Sequence, residues 1–344
     1  MKYKVLIVDD SAFMRSIISD LLVNHPQIGA IETAINGRDA LRKINEFQPD
    51  VVTLDIEMPI MNGIDTLQEI MKVRKIPVIM CSTLTSDGAE ITIKALELGA
   101  FDFIEKPQSV LGEEVEVLKQ NLLNKILAAA QGKKFTPVER KIPEIKPVLP
   151  TVKESMTTNK LVVIGTSTGG PQALHQVIPY LPRDIPASIL IVQHMPEKFT
   201  EMFAQRLDKA SKITIREAKE GDMLEKGLAL LAPGNFHMEL RDKDTVTLNQ
   251  KPQVCGVRPA VDITLASAAE IYRNNLICVI LTGMGHDGTN GSSKVRNNGG
   301  YCIAEDESTC VVYGMPKNIV ENGNANEVVP LHKVADSIVR AVYR

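Results

Sequence analysis

Twice along these 344 residues, short aliphatic runs alternate with segments whose apolar residues recur at helical spacing. A proline-broken stretch parts the two series. Near-continuous apolar strands need cover on both faces, and strand–helix–strand order favours parallel pairing. The chain is therefore expected to fold as two doubly wound α/β units. In the first, strands are read at 4–8, 30–34, 50–54, 77–82 and 101–105, and Val115, Leu118, Leu122 and Ile126 mark one helical stripe. Pro137, Pro143, Pro147 and Pro150, set among Lys and Glu, make 132–158 an extended, exposed linker. From Lys160 the alternation resumes, with strands at 161–165, 188–193, 276–281 and 300–304 and helices at 171–181, 197–210, 261–273 and 316–322. The stretch 213–250 looks like short strands and turns. The expected boundaries are 1–131, 132–158 and 159–344.

Hydrophobic residues make up 44% of the chain but aromatics only 4%, with no Trp, so both cores must be aliphatic. A net charge of -3 offers no basic footprint for a nucleic acid. No apolar run approaches the ~20 residues that cross a bilayer. The amino terminus meets Asp9 and Asp10 where a signal peptide would need more apolar length. A cytoplasmic protein without membrane insertion is the expectation. Cys81, Cys255, Cys278, Cys302 and Cys310 form no CxxC pair. Reduced core thiols are expected, rather than disulfides or zinc ligands.

In a doubly wound sheet, ligands bind beyond the carboxyl ends of the strands. In the first unit that edge collects acids: Asp9 and Asp10 after the first strand and Asp55 after the third. Ser82 ends the fourth, and Lys106 follows the fifth, just before Pro107. Three converging carboxylates repel one another unless a hard cation sits among them, and Mg²⁺ suits such a site. A carboxylate so held can attack a phosphoryl donor. Lys106 is the natural ammonium to stabilise the transferring oxygens, and Ser82 a natural hydrogen-bond donor to the product phosphate. This order, with the MPIMNG turn after Asp55, resembles the response-regulator receiver family over about residues 1–125. That resemblance implies a flavodoxin-like five-stranded domain in which Asp55 accepts phosphate from a histidine kinase. It implies a metal held by Asp10, Asp55 and the backbone carbonyl of Glu57, with Asp9 assisting. Phe103 falls where that family places its aromatic switch residue, often Tyr.

The second unit opens on LVVIG running into Thr166-Ser167-Thr168-Gly169-Gly170, with a helix from Pro171. A glycine-rich turn between strand and helix admits close approach and presents free amides to negative charge. It fits a dinucleotide phosphate loop, or a nucleophile elbow, since Gly165-x-Ser167-x-Gly169 matches G-x-S-x-G. The next strand ends in Gln193 and His194 rather than the acid a nicotinamide site wants. That counts against a dinucleotide and puts an imidazole at the same sheet edge as Ser167. LICVIL then leads into Thr282-Gly283-Met284-Gly285-His286-Asp287-Gly288, which supplies Asp287 to orient an imidazole. His286 is a rival base, although as Asp287's sequence neighbour it is a poor partner for it. His175 lies two turns into the helix, and His237 is either a pocket residue or a structural one. Ser167, His194 and Asp287 make a triad in an order unlike that of α/β-hydrolases.

IGTSTGG, QHMP, APGNFHMEL, RPAVD, LTGMGHDG and CVVYGMP, spread over residues 160–320, resemble the catalytic domain of the chemotaxis protein-glutamate methylesterase family. Receiver first and esterase second matches too. The resemblance implies a Rossmann-like hydrolase domain without a cofactor. Ser167 would be nucleophile, His194 base and Asp287 its orienter, with backbone amides near Thr168 and Met284 as oxyanion donors. The implied substrate is a glutamyl methyl ester on a chemoreceptor, with methanol as product and glutamine deamidation as a second reaction. The family turn often carries Asn where His286 stands. The resemblance also implies that the unphosphorylated receiver covers the esterase cleft. A transcriptional regulator and a non-catalytic binding module are the competing readings; the first would need a helical module with a basic face.

Overall fold

In the computed structural model the described residues are 2–83, 85–106, 113–131 and 160–344. The expected linker, Pro107 and the side chains of Val115 and Leu118 lie outside them.

The first unit runs β1 (Tyr3–Val8), α1 (Ala12–Val23), β2 (Ile28–Ala34), α2 (Gly37–Phe47), β3 (Val51–Asp55), α3 (Gly63–Val73), β4 (Val78–Ser82), α4 (Ser86–Glu97), β5 (Asp102–Glu105) and α5 (Glu113–Gln131). Its strands are all parallel, in the order β2-β1-β3-β4-β5. That is the flavodoxin-like order. Four helices begin on polar side chains that accept an amide of the first turn: Ser11 for α1, Asn36 for α2, Asn62 for α3 and Thr85 for α4. These caps fix where each strand end gives way to helix.

The second unit runs β6 (Lys160–Thr166), α6 (Gly170–Val177), β7 (Ala187–Gln193), α7 (Phe199–Ala210), β8 (Thr214–Glu217), β9 (Leu228–Leu231), β10 (His237–Leu240), β11 (Val246–Asn249), α8 (Val261–Tyr272), β12 (Leu276–Ile280), α9 (Thr289–Asn297), β13 (Tyr301–Glu305), α10 (Met315–Glu321), β14 (Glu327–Val329) and α11 (Leu331–Val342). A seven-stranded parallel sheet has the order β14-β13-β12-β6-β7-β9-β8, and β10 and β11 pair as a separate antiparallel hairpin. The chain winds from β6 toward β7, then crosses to β12 on the other side of β6. β6 is thus the switch point of the sheet, where open α/β folds bind their ligands.

The strands bury both faces: every residue of β7 and β12 is buried. The cores are aliphatic, as the composition requires. One continuous apolar cluster includes side chains of both units, among them Leu54 and Phe103 of the first and Ile189 and Phe199 of the second. The two units therefore share packed surface.

Candidate active site

Strand register places the three expected residues. Thr166 pairs with Gln193 across β6 and β7, so Ser167 and His194 leave neighbouring strands at the same level. The His194 amide donates to the Thr166 carbonyl at 3.2 Å. On the other flank Gly165 pairs with Ile280, which sets the 282–288 turn beside β6. The Ser167 amide donates to the Thr282 carbonyl at 3.1 Å.

His194 Nε2 lies 2.7 Å from Asp287 Oδ2. Its other ring nitrogen, Nδ1, is then the one left to act as a base. Among the described residues no hydrogen bond joins Ser167 Oγ to that ring. Such contacts are often long before substrate binds. Asp287 is buried and saturated. Oδ2 also accepts the Val261 amide at 2.6 Å, and Oδ1 accepts the amides of Asp262 and Gly288, each at 2.9 Å. Burial pushes this carboxyl up, but the His194 hydrogen bond and charge, with the amides of Asp262 and Val261, outweigh it and hold the group below its ordinary value. The Val261 and Asp262 amides open α8, so Asp287 caps that helix as well. Asp262 reciprocates: its Oδ1 accepts the Gly291 amide, in the first turn of α9, at 2.6 Å.

Two of the glycines at this edge show why the position needs glycine. Gly169 sits at φ +78, and a Cβ there would meet Val311. A Cβ on Gly283 would meet Met315 Sδ and the Ser167 Cβ. The turn after β12 therefore lies directly against the serine. The amides of Thr168 and Met284 donate to no protein acceptor among the described residues. Thr282 ties the two turns together. Its carbonyl accepts Thr166 Oγ1 at 2.8 Å, its hydroxyl donates to the Thr168 carbonyl at 3.0 Å, and its amide donates to buried Glu305 at 2.8 Å. Burial pushes the Glu305 carboxyl up to about 7, against the pull of that amide.

At the first sheet's edge, oxygens of Asp9, Asp10 and Asp55 lie within 4.8 Å of one another. Lys106 Nζ stands 2.8 Å from Asp9 Oδ2 and 2.7 Å from Asp55 Oδ1. Three carboxylates against one ammonium leave a net negative, all-oxygen set, the donor chemistry a hard divalent cation takes. Burial pushes the Asp55 carboxyl up to about 6, with Lys106 pulling the other way. A cavity of about 280 Å³ opens between Asp10, Asp55, Glu57, Ser82 and Lys106. The Ser82 hydroxyl turns from it toward α4. It lies 3.3 Å from the Gly88 carbonyl and accepts Thr92 Oγ1 at 2.7 Å.

The two sites meet through β5. Thr168 Oγ1, next to the serine, donates to Asp102 Oδ2 at 2.8 Å. Phe103 stacks on Phe199 with centroids 4.8 Å apart and planes 12° from parallel. Gln172 Nε2 donates to the Ala100 carbonyl at 2.6 Å, and Arg206 pairs with Glu97 at 2.5 Å. Lys106 follows Phe103 by three residues.

Comparison with known proteins bears on both units. A family model described as CheB methylesterase matches residues 162–338, and one described as response regulator receiver domain matches residues 5–115. The chain belongs to the CheB methylesterase family. A relative from Symbiobacterium thermophilum is 49% identical, over 98% of this chain and 97% of its own length. One from Pyrococcus horikoshii is 45% identical, over 99% and 94%. Both are named protein-glutamate methylesterase/protein-glutamine glutaminase. The crystal structure of the Thermotoga maritima CheB methylesterase catalytic domain is similar at 48% identity and a TM-score of 0.52, covering 53% of this chain and 97% of that one.

Within this CheB-family chain the other histidines separate cleanly. His286 is exposed and its Nε2 faces Cys255 Sγ at 3.5 Å, not Asp287. His237 is fully buried at the start of β10, with Nε2 3.1 Å from the Pro252 carbonyl, which favours the structural reading. His175 packs edge-on to Phe203 and faces Glu97 at 3.7 Å. The cysteine expectation needs one correction. All five are free, but Cys255 is exposed, in a turn whose backbone reaches φ +54. Sequence reasoning does not single out Asp262, Thr282 or Glu305. RPAVD and LTGMGHDG contain the first two, but only the fold shows what they hold.

Asp287→Asn tests the orienting role. The amide offers one acceptor oxygen where the carboxylate uses two, and it stabilises the wrong tautomer, so kcat should fall about 10⁴-fold. Stability should fall too, by up to ~2 kcal/mol for a partly buried charge at a helix start. Because the shift is downward, that stabilisation is present above the unfolded carboxyl value of ~4 and is lost as pH falls through the folded one. The Tm gap between wild type and variant should therefore shrink in acid; a gap independent of pH would refute the charge argument.

Proposed function

We propose that this chain is a protein-glutamate methylesterase and protein-glutamine glutaminase whose esterase half is released by phosphorylation of its receiver half. The observation that carries the reading is the His194–Asp287 pair set one strand from Ser167, at the switch point of the sheet. Family membership over nearly the whole chain supports it. It also disfavours the transcriptional and non-catalytic alternatives.

In this reading Ser167 Oγ attacks the side-chain carbonyl of a glutamyl methyl ester. His194 takes the hydroxyl proton on Nδ1, and Asp287 stabilises the imidazolium. The tetrahedral oxyanion lies against the amides of Thr168 and Met284. Collapse expels methanol, which receives the proton from His194, and water then releases glutamate by the reverse path. A glutamine side chain would follow the same route, with ammonia leaving.

The receiver would accept a phosphoryl group on Asp55 from a chemotaxis histidine kinase. Asp9, Asp10, Asp55 and the Glu57 carbonyl would hold Mg²⁺, which would neutralise phosphoryl oxygens. Lys106 would pair with the phosphoryl group, giving up its bond to Asp55. Ser82 would have to leave the Gly88 carbonyl to reach the phosphate, which makes it a movable link between the site and α4. The substrate would be the helical part of a methyl-accepting chemoreceptor, met in the cytoplasm. Among the described residues no helix is long and apolar enough to cross a membrane.

Methanol release from a methylated receptor fragment, with and without a small phosphodonor and Mg²⁺, tests this directly. Release that rises with phosphodonor is expected. No methanol under either condition would end the proposal.

A further inference from the structure

Two soft-metal donors face each other at the rim of the site, and the esterase chemistry uses neither. Cys255 comes from the tight turn between Val254 and Val257, and His286 from the turn after β12. Both are exposed, and Cys255 Sγ lies 3.5 Å from His286 Nε2. In a tetrahedral zinc site, with Zn–S near 2.3 Å and Zn–N near 2.0–2.1 Å, sulfur and nitrogen stand about 3.5 Å apart. The pair already has that spacing. Carboxylate oxygens of Asp262 and Asp287 lie within 4.8 Å of the same sulfur and of each other. Asp287 is committed, because each of its oxygens accepts two hydrogen bonds. Asp262 is less so: its Oδ2 accepts only Asn290 Nδ2, at 3.3 Å.

We propose that Cys255 and His286 form a binding site for a borderline-soft divalent cation such as Zn²⁺, with water completing its shell and the Asp262 and Asp287 carboxylates lending a negative field beside the sulfur. The bound metal inhibits the esterase. Metal binding forms a Zn–S bond and breaks the S–H bond, and the proton leaves to solvent. The Asp262 and Asp287 carboxylates beside the sulfur attract a cation. The site differs in kind from the receiver trio, which offers only oxygen and prefers Mg²⁺. Inhibition follows from place. His286 adjoins Asp287 in the turn after β12, so a metal drawing on His286 would shift the carboxylate that orients His194.

The binding claim stands by itself, whereas the inhibition claim rests on the proposed esterase activity. The full chain is titrated with Zn²⁺ in excess Mg²⁺ by calorimetry, and with Co²⁺ by absorption, which reports thiolate ligation. One equivalent with a Kd of about 1 μM or tighter is expected for wild type. Cys255→Ser should lose the thiolate band, and His286→Asn should weaken binding by more than the ~10–100-fold that an outer partner costs. Zn²⁺ should slow methanol release from wild type, reversibly with chelator, and spare both variants. No Zn²⁺ binding in excess Mg²⁺, or equal binding by wild type and both variants, overturns the site. Tight binding with undiminished turnover overturns the inhibition and leaves the site standing.

Discussion

Ser167→Ala is expected to cut methanol release by about 10⁴-fold or more while leaving KM nearly unchanged. The substitution removes one oxygen and little else. Ser167 Oγ accepts no described hydrogen bond, the His194–Asp287 contact does not depend on it, and alanine keeps the Cβ that Gly283 packs against. Melting temperature should therefore stay within ~2 °C, since loss of a half-buried hydroxyl with no described hydrogen bond should move stability by less than ~0.5 kcal/mol. The comparison with Asp287→Asn is informative because that variant should lose stability as well. If the alanine variant kept activity within ~10-fold of wild type, the nucleophile would have to be another group, because loss of any one triad member normally costs far more.

The second large effect is at the contact between the two units. Asp55→Asn should leave basal methanol release unchanged and abolish its rise with phosphodonor. Phe103→Leu should raise basal release. Leucine keeps apolar volume inside the receiver but ends the stacking on Phe199. An aromatic pair adds ~0.5–1.5 kcal/mol beyond its burial, which corresponds to a ~2–10-fold larger open fraction. Removing residues 1–131 should release more, since the Thr168–Asp102, Gln172–Ala100 and Arg206–Glu97 contacts go together. The phosphodonor should then have no effect. Basal release equal to or below that of the intact chain, in a folded fragment, would mean that this contact does not restrain the enzyme.

The residues proposed to bear the chemistry are legible because each follows an aliphatic strand too apolar to be anything but buried. LVVIG, SILIVQ and LICVIL end in polar or glycine-rich turns, and parallel register brings those turns to one edge. Much of the rest was hidden for physical reasons. β8 and β9 are four residues each, too short for periodicity, yet they join the main sheet beside β7. α9 has the sequence TNGSSKVRN, which reads as a loop. It is helical because Asp262 accepts an amide of its first turn and Gly291 lies flat on Leu265. α11 does carry a local signal: Leu331, Val334, Ala335, Ile338, Ala341 and Val342 fall on one buried face at helical spacing. The contacts between units leave no trace in either unit's own pattern. Asp102 reads as a strand-start acid and Thr168 as part of a glycine turn, and nothing local says that they bond.

Phe103 and Phe199 belong to an apolar cluster continuous through both units. Parting them wets aromatic and aliphatic surface, so switching on this enzyme would carry a hydration cost as well as a geometric one. Apolar contacts of that kind weaken in the cold. A restraint built this way leaks more as temperature drops, and a cell moving into colder water would partly offset its slower catalysis with a looser latch.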